Sequence, residues 1–315
     1  MRDLYAAGVW TAIHRAASNL PISQLFDMVA GTSGGAMIGA ALVAPNPLPS
    51  SEITNFFIRD GKTIFPPDPF RYIRSAFNGP KYSAEPFENM MSEVFGETWL
   101  SEVTVPFIVP SYDIGARQAK FFKSWKAQGK DLDQDESATS SDYRLRDVVR
   151  ASAAAPTYFS PAHILSRAGE GQTFIDGALV ANNPAMCAIA SARFLNPDLE
   201  RIILVSIGTG MQTEAIPYAK ARNWGLLEWA RPAFECVMDG HGDTVPYQVD
   251  QCFRSMVTQY RFDFTLGGSN PNGAIDDTSA EQVRRLIVAS TITSALEYDA
   301  ISKLPRVLLE ALRDQ

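Results

Sequence analysis

The fold is decided by the stretch Leu25-Phe26-Asp27-Met28-Val29-Ala30-Gly31-Thr32-Ser33-Gly34-Gly35. A short apolar run from Leu25 to Ala30 predicts a strand, and the small residues from Gly34 to Leu42 predict a helix. Between them, residues 31–35 fit the pattern Gly-x-Ser-x-Gly. A serine on a sharp turn between a strand and a helix projects its hydroxyl away from the sheet, which makes Ser33 a candidate nucleophile.

The glycines of this turn have an expected role in its chemistry. We expect Gly31 and Gly35 to let the backbone fold tightly. The N–H of Gly34 should face the oxyanion that develops when Ser33 attacks an ester, helped by the positive end of the following helix. A glycine-rich turn with a helix-capping serine would show the same pattern, so the motif alone leaves both interpretations open.

Strands and helices alternate along the rest of the chain. The apolar spacing predicts an opening helix from Leu4 to about Leu20, and a C-terminal helix pair after the capping-box residues Thr278 and Glu281. Between these we expect two helices, Leu145–Ala151 and Ala185–Phe194, and four strands, Val105–Tyr112, Lys120–Lys123, Thr173–Ile175 and Arg201–Ile207. This order predicts an α/β fold, with a mostly parallel sheet and helices on both faces.

Composition narrows the class of protein. The 315 residues are 46% hydrophobic and 20% charged, which is typical of a folded globular chain. A net charge of -7 argues against wholesale binding to nucleic acid. The three cysteines lack the spacing of a zinc site or a disulfide framework. Because we find neither an apolar run long enough for a membrane span nor a secretory signal, we expect a cytoplasmic protein.

A serine hydroxyl needs a base to accept its proton, and two candidates follow from the sequence. Asp176 begins Asp176-Gly177-Ala178 directly after a predicted strand, where partial desolvation would have to make the carboxylate basic. His241 lies in Asp239-Gly240-His241-Gly242-Asp243, and the order Ser33, Asp176, His241 matches the chain order of α/β-hydrolases. Those folds place several strands before the serine, whereas Ser33 follows at most one, so we prefer Asp176. Alone, Asp-Gly is usually a turn, and a lone histidine usually belongs to a loop or a satisfied polar contact.

Several ordered motifs resemble the patatin-like phospholipases, which use a Ser-Asp dyad without histidine. Besides Gly31–Gly35 and Asp176–Ala178, they are Tyr112-Asp113-Ile114, Phe121-Phe122-Lys123-Ser124, Ala151-Ser152-Ala153-Ala154-Ala155-Pro156-Thr157-Tyr158-Phe159, Asn182-Asn183-Pro184 and Ser206-Ile207-Gly208-Thr209-Gly210. The similarity covers roughly residues 1–210.

The resemblance implies a fold and an activity. It implies one patatin-like domain over residues 1–315, with a three-layer α/β/α core and a mainly helical part from 211 onward. It makes Ser33 the nucleophile and Asp176 the base, supported by Gly177 and Ala178. It also implies a phospholipid or other lipid ester as the substrate, cleaved by a phospholipase A or lysophospholipase reaction that needs no metal and no cofactor.

The chain departs from the family pattern at its first residues. Family members usually begin with a strand and an Asp-Gly-Gly-Gly-x-Arg-Gly loop, whose N–H groups supply most of the oxyanion hole. Here Arg2 takes the position of the arginine, and Asp3 replaces the last glycine. We interpret this as a start codon assigned too far downstream rather than as a truncated paralogue. Because one oxyanion donor is worth on the order of a hundred- to a thousand-fold in rate, a catalytically impaired lipid-binding or interaction module is the alternative.

Two segments have the composition of a membrane-contacting surface. Residues 56–82 combine aromatic and basic side chains with a local charge of 5 - 2 = +3, which predicts a cap that meets an anionic lipid surface. The aromatic residues are Phe56, Phe57, Phe65, Phe70, Tyr72, Phe77 and Tyr82, and the basic residues are Arg59, Lys62, Arg71, Arg74 and Lys81. Trp224, Leu226, Leu227 and Trp229 form a second candidate patch. For residues 56–82 the alternative, which we favour, is an ordinary insertion with buried aromatic residues and solvated charges. For the second patch the alternative is a place in the core.

Overall fold

The computed structural model describes residues 1–67, 79–131, 137–212, 215–266 and 275–313. Its helices are α1 (Asp3–Ala16), α2 (Gly34–Val43), α3 (Ser50–Ile64), α4 (Glu85–Phe95), α5 (Ser124–Ala127), α6 (Ala138–Ser141), α7 (Leu145–Ser152), α8 (Ala178–Ala181), α9 (Ala185–Leu195), α10 (Tyr218–Ala221), α11 (Leu226–Phe253), α12 (Ala280–Leu296) and α13 (Tyr298–Arg313). Its strands are β1 (Val29–Ala30), β2 (Phe107–Asp113), β3 (Gln118–Lys123), β4 (Ala162–Leu165), β5 (Gly171–Ile175), β6 (Ile202–Ile207), β7 (Met211–Gln212), β8 (Val257–Phe262) and β9 (Thr265–Leu266).

The α/β class predicted from the sequence is confirmed, and the pairing of strands is more mixed than we expected. In the five-stranded main sheet, β1 runs parallel to β2, whereas β3 and β5 run antiparallel to β2, and β4 antiparallel to β5. A short connection explains the antiparallel pair β2–β3, since only four residues separate the two strands. The pairs β6–β8 and β7–β9 are parallel.

Helices cover the sheet on both sides. Helix α1 packs against α3, α12 and α13, and it also contacts β6. Helix α9 contacts β1, β6 and α11, while α7 packs against β2, β4 and β5. The apolar core therefore lies between the sheet and these helices, with Tyr5, Phe107, Phe122 and Phe174 among its most deeply buried side chains.

The predicted aromatic cap belongs in large part to this core. Phe56, Phe57 and Tyr82 are buried, because α3 packs against α1 and because Tyr82 stacks on Tyr158. The prediction of an exposed aromatic surface is therefore wrong for these three residues. Phe70, Tyr72, Phe77, Arg71 and Arg74 lie outside the described residues.

Element ends differ from the sequence prediction in two informative places. The strand predicted over Leu25–Ala30 shortens to Val29–Ala30, because only these two residues pair with β2. The C-terminal helix pair forms as α12 and α13. Its N-cap is Ser279, whose hydroxyl accepts a hydrogen bond from the N–H of Gln282 at 3.2 Å, rather than Thr278.

A core substitution tests this packing. Phe174 is fully buried, and its ring centroid lies 5.1 Å from that of Phe122. Phe174→Ala should lower the free energy of unfolding by about 3–5 kcal/mol, because it opens a cavity that the sheet cannot close. Guanidinium unfolding followed by circular dichroism measures the change. Phe194→Ala is the matched control, since that ring is 59% exposed, and we expect a change of less than about 0.5 kcal/mol. Equal losses in the two variants would contradict this packing.

Candidate active site

Ser33 occupies a strained turn between β1 and α2. Its backbone φ is 54° and its ψ is -122°, a conformation that is costly for a residue with a Cβ. At Gly31, a Cβ would lie 2.3 Å from the carbonyl oxygen of Gly35, so the chain comes too close for any side chain there. The turn thus has the geometry of a nucleophile elbow, in which the serine hydroxyl is held away from the sheet.

A buried serine holds this turn in place. The Ser33 N–H donates to Ser152 Oγ at 3.0 Å, and Ser152 Oγ in turn donates to the carbonyl of Pro110 at 2.7 Å. Ser152 is fully buried at the end of α7, and Pro110 lies in the middle of β2. The strained backbone is therefore fixed to the central strand through one hydroxyl group.

Asp176 lies against Ser33. The Ser33 hydroxyl donates to Asp176 Oδ2 at 2.9 Å, and the N–H of Ala178 donates to Oδ1 at 2.8 Å. Asp176 is 2% exposed. Both carboxylate oxygens are thus engaged, and Oδ2 is oriented to receive the hydroxyl proton of Ser33.

Strand register explains why two residues 143 positions apart meet. One edge of β2 is taken by β3 along residues 108–113, so β1 and β5 both pair with the opposite edge. There Ala30 pairs with Ile108 from one direction, and Ile175 pairs with Tyr112 from the other. The two strands end facing each other, and the residues that follow them, Ser33 and Asp176, converge beside the middle of β2.

The turn after Asp176 is tied to the same region. The N–H groups of Asp176 and Gly177 donate to the carbonyls of Ala154 and Ser152, each at 3.0 Å. A Cβ on Gly177 would lie 2.1 Å from the carbonyl oxygen of Pro110, so glycine is required there. Residues 152–154 therefore position the serine and the aspartate together.

Burial makes Asp176 an unusual carboxylate. Desolvation raises its pKa from 3.8 to about 7, while the hydrogen bonds from Ala178 and Ser33 oppose the shift. The nearby negative charge of Asp3 also raises this pKa. A carboxylate with a pKa near neutrality is a far better proton acceptor than an ordinary aspartate.

Gly34 and Gly35 have different surroundings, and the oxyanion role of Gly34 stays a prediction. The N–H of Gly34, the first residue of α2, makes no hydrogen bond with any described residue, so it is free to donate to an oxyanion. At Gly35, in contrast, a Cβ would meet nothing within 4 Å. The steric reason for a glycine at position 35 is therefore wrong, because the close contact in this turn is made by its carbonyl oxygen and not by its α-carbon.

Arg2 and Asp3 both line the cavity that contains Ser33. The Arg2 guanidinium donates to the carbonyls of Thr209 and Gly210, with the Nε bond at 3.1 Å, and so joins the start of α1 to the loop between β6 and β7. Burial lowers the pKa of Arg2, and Asp239 opposes the change. The carboxylate of Asp3 lies against Gly34. A Cβ built on Gly34 would be only 2.2 Å from Asp3 Cγ.

The histidines lie elsewhere. His241 is on helix α11 rather than in a loop, and its Nδ1 accepts a hydrogen bond from the N–H of Asn182 at 3.4 Å. His14 contacts Ser50 and Leu20, and His163 contacts Thr173. Within the described part of the chain, no histidine is hydrogen-bonded to Ser33 or Asp176, so the Ser-Asp-His arrangement is not formed.

A cavity of about 1300 Å³ opens onto Ser33 and Asp176. Its apolar walls include Ile203, Val205 and Ile207 of β6, with Phe234 and Met238 of α11. Across the described ranges, no group of three or more His, Cys, Asp or Glu side chains is arranged to hold a metal ion. None of the described helices combines the length and the apolar character needed to span a bilayer.

Residues 1–189 match the sequence profile of the patatin-like phospholipases. The chain belongs to this family. The match spans the elbow, the Ser152 segment and the turn at Asp176. Membership supports lipid acyl hydrolysis at the level of the family.

Relatives and solved structures extend the comparison. Patatin-like protein 2 of Arabidopsis thaliana is 30% identical over 285 residues, which cover 78% of this chain and 68% of the relative. Probable inactive patatin-3-Kuras 1 of Solanum tuberosum is 26% identical over 267 residues, covering 76% of this chain and 67% of the relative. The crystal structure of VipD from Legionella pneumophila matches with a TM-score of 0.34 and 11% identity, covering 97% of this chain and 65% of VipD.

The role of Ser152 does not follow from the motifs of the sequence. Its run of small residues, Ala151-Ser152-Ala153-Ala154, indicates only the resemblance to the family. The signal was available, because a run of small side chains at a helix end is where backbone segments can approach closely. Only the fold reveals that the hydroxyl of Ser152 bonds both the elbow and β2.

The raised pKa of Asp176 predicts a specific pH dependence of stability. The protonated carboxyl of Asp176 is favoured in the native state. Its contribution to the free energy of unfolding is fully present below about pH 4, and it is lost as the pH rises through about 7. Asp176→Asn should therefore gain stability relative to wild type as the pH rises from 4 to 8, by up to on the order of 4 kcal/mol.

Urea unfolding at several pH values measures this difference. Asp198→Asn is the matched control, because that side chain is exposed and keeps its hydration on folding. A difference between Asp176→Asn and wild type that stays constant with pH would contradict the raised pKa.

Proposed function

We propose that this protein is a serine-dependent lipid acyl hydrolase of the phospholipase A or lysophospholipase type, with Ser33 as nucleophile and Asp176 as base. The observation that carries the proposal is the 2.9 Å hydrogen bond from the Ser33 hydroxyl to the buried Asp176 carboxylate. A hydroxyl that donates to a desolvated carboxylate is poised to lose its proton as it attacks an ester.

The reaction proceeds in two halves. Ser33 Oγ attacks the ester carbonyl carbon while Asp176 accepts the hydroxyl proton, and the carbonyl oxygen becomes an oxyanion. The intermediate collapses, and the leaving alcohol takes the proton from Asp176, which gives an acyl-enzyme. Water then attacks the acyl carbon, Asp176 accepts a proton from the water, and the fatty acid leaves as Ser33 Oγ recovers its proton.

The surroundings of the dyad support both steps. The free N–H of Gly34 lies at the positive end of α2, where it can donate to the oxyanion. With a pKa of about 7, Asp176 is largely ionised above neutral pH and still basic enough to accept a proton. The apolar walls from β6 and α11 fit an acyl chain.

Substitution of the dyad tests the proposal. Ser33→Ala and Asp176→Asn should each lower fatty acid release from phosphatidylcholine, and hydrolysis of p-nitrophenyl butyrate, on the order of a thousand-fold or more. His241→Ala should keep activity within about a factor of three, because Asp176 and not His241 contacts the hydroxyl. Full activity in Ser33→Ala or in Asp176→Asn would exclude the dyad, and a loss confined to His241→Ala would favour a histidine base.

A second candidate is a catalytically impaired module that binds lipid or a protein partner. It is favoured by the carboxylate of Asp3 over Gly34 and by the name of the potato relative, which describes that protein as probably inactive. A fluorophosphonate probe separates the two candidates. Labelling at Ser33 supports the hydrolase, whereas a folded protein that stays unlabelled supports the module.

We also propose peripheral contact with lipid surfaces through the segment that includes Tyr218, Trp224, Leu226 and Trp229. Tyr218 is 79% and Leu226 88% exposed, and the rings of Trp224 and Trp229 lie 5.0 Å apart, edge to face. Exposed aromatic and aliphatic side chains beside Lys220 and Arg222 are typical of an interfacial surface. Leu226 and Trp229 lie at the start of α11, whose residues Phe234 and Met238 line the cavity.

A charge placed in this segment tests the contact. Leu226→Asp should reduce co-sedimentation with phosphatidylcholine vesicles containing phosphatidylserine by about ten-fold, because a carboxylate resists entry into the interface. Leu165→Asp on β4 is the matched control, since Leu165 is 55% exposed and distant in sequence from the segment. Binding that is unchanged in Leu226→Asp, or equally reduced in both variants, would refute the contact.

A further inference from the structure

The side chain of Asp3 lines the cavity beside the turn that holds Ser33. Asp3 is the first residue of α1, and its side chain faces Gly34 across the start of α2. A Cβ built on Gly34 would lie 2.3 Å from Asp3 Oδ2 and 2.5 Å from Oδ1. Both oxygens are thus in close contact with the residue whose N–H would bind the oxyanion.

Asp3 interacts through its charge with the Met1 ammonium and the Arg2 guanidinium, and it raises the pKa of both against the lowering effect of burial, but it has no direct hydrogen-bonding or ion-pair partner among the described residues. The neighbouring guanidinium of Arg2 is directed to the carbonyls of Thr209 and Gly210. Asp3 lines the same cavity as Ser33, and its charge raises the pKa of Asp176, so its field reaches the reacting groups.

We propose that Asp3 is an electrostatic brake on the reaction at Ser33, which disfavours the oxyanion by placing a negative charge beside the N–H of Gly34. The ester is neutral when it binds, whereas the tetrahedral intermediate carries a full negative charge. A fixed carboxylate therefore penalises the intermediate far more than the bound substrate, and it acts on kcat rather than on KM. This inference rests on the proposed hydrolase activity.

The position of Asp3 in α1 gives a reason for a carboxylate there. An acidic side chain in the first turn of a helix stabilises the helix through its dipole. The same negative charge that stabilises α1 disfavours an oxyanion at the start of α2, because the starts of both helices face the site. Asp3 therefore stabilises its own helix and lowers the rate of the reaction.

The test compares two variants that remove the charge. Asp3→Asn keeps the shape of the side chain, and Asp3→Gly removes the side chain altogether. Each should raise kcat for p-nitrophenyl butyrate by about ten- to a hundred-fold, with KM within about three-fold of wild type, as expected for two like charges a few ångströms apart. Glu52→Gln is the matched control, because it removes an exposed charge from the first turn of α3, which does not line the cavity, and it should change neither constant.

The outcomes separate this inference from the proposed function. A gain in kcat in Asp3→Asn that disappears when Ser33→Ala is added supports the brake. The same holds if wild type is inert and Asp3→Asn is active. A kcat equal to or below that of wild type in both folded variants, with or without fluorophosphonate labelling of Ser33, overturns it. Hydrolysis that persists after Ser33→Ala would instead overturn the Ser33 mechanism, and with it the brake.

Discussion

The site depends on one buried hydroxyl group, that of Ser152. Its oxygen accepts the N–H of Ser33 and donates to the carbonyl of Pro110, so the strained turn at Ser33 is fixed to the middle of β2. The carbonyl of the same residue accepts the N–H of Gly177, which places the turn at Asp176 on the same support. Without this link, a non-glycine residue at a φ of 54° would relax toward an ordinary conformation, and the 2.9 Å contact between Ser33 and Asp176 would be lost.

The features that suit the site to chemistry also reduce stability. Ser33 stores backbone strain, and Asp176 carries a carboxylate into a region where it is 2% exposed. The rest of the fold offsets these costs through the aromatic core around Phe122 and Phe174 and through the packing of α1 on α3 and α12. Backbone strain and a buried charge at one point of a well-packed fold are typical of a functional site.

Much of the fold could be predicted from local patterns, and the errors have physical causes. Helices α1 and α7 follow the apolar spacing, because their apolar side chains pack into the core. Helix α2 was predicted from its small residues, and it is buried on all sides from Ala36 to Val43. Strand β8 was missed, since its side chains alternate only weakly between buried and partly exposed positions. The aromatic residues of α3 were expected at a lipid surface and are buried instead, because composition cannot distinguish an interfacial face from a face that packs on another helix. Gly35 was explained by sterics, yet its α-carbon faces open space.

The sequence by itself determined the chemical groups: a serine in a glycine-rich turn between a strand and a helix, and an aspartate in Asp176-Gly177-Ala178. These are local properties, set by backbone sterics and by the spacing of small residues. Only the tertiary structure decided that the two groups meet, since this follows from β1 and β5 ending against the same edge of β2. Burial, and with it the pKa of Asp176 near 7, is likewise a property of the assembled core. The approach of Asp3 to Gly34 has the same origin, because it depends on how α1 lies against α2.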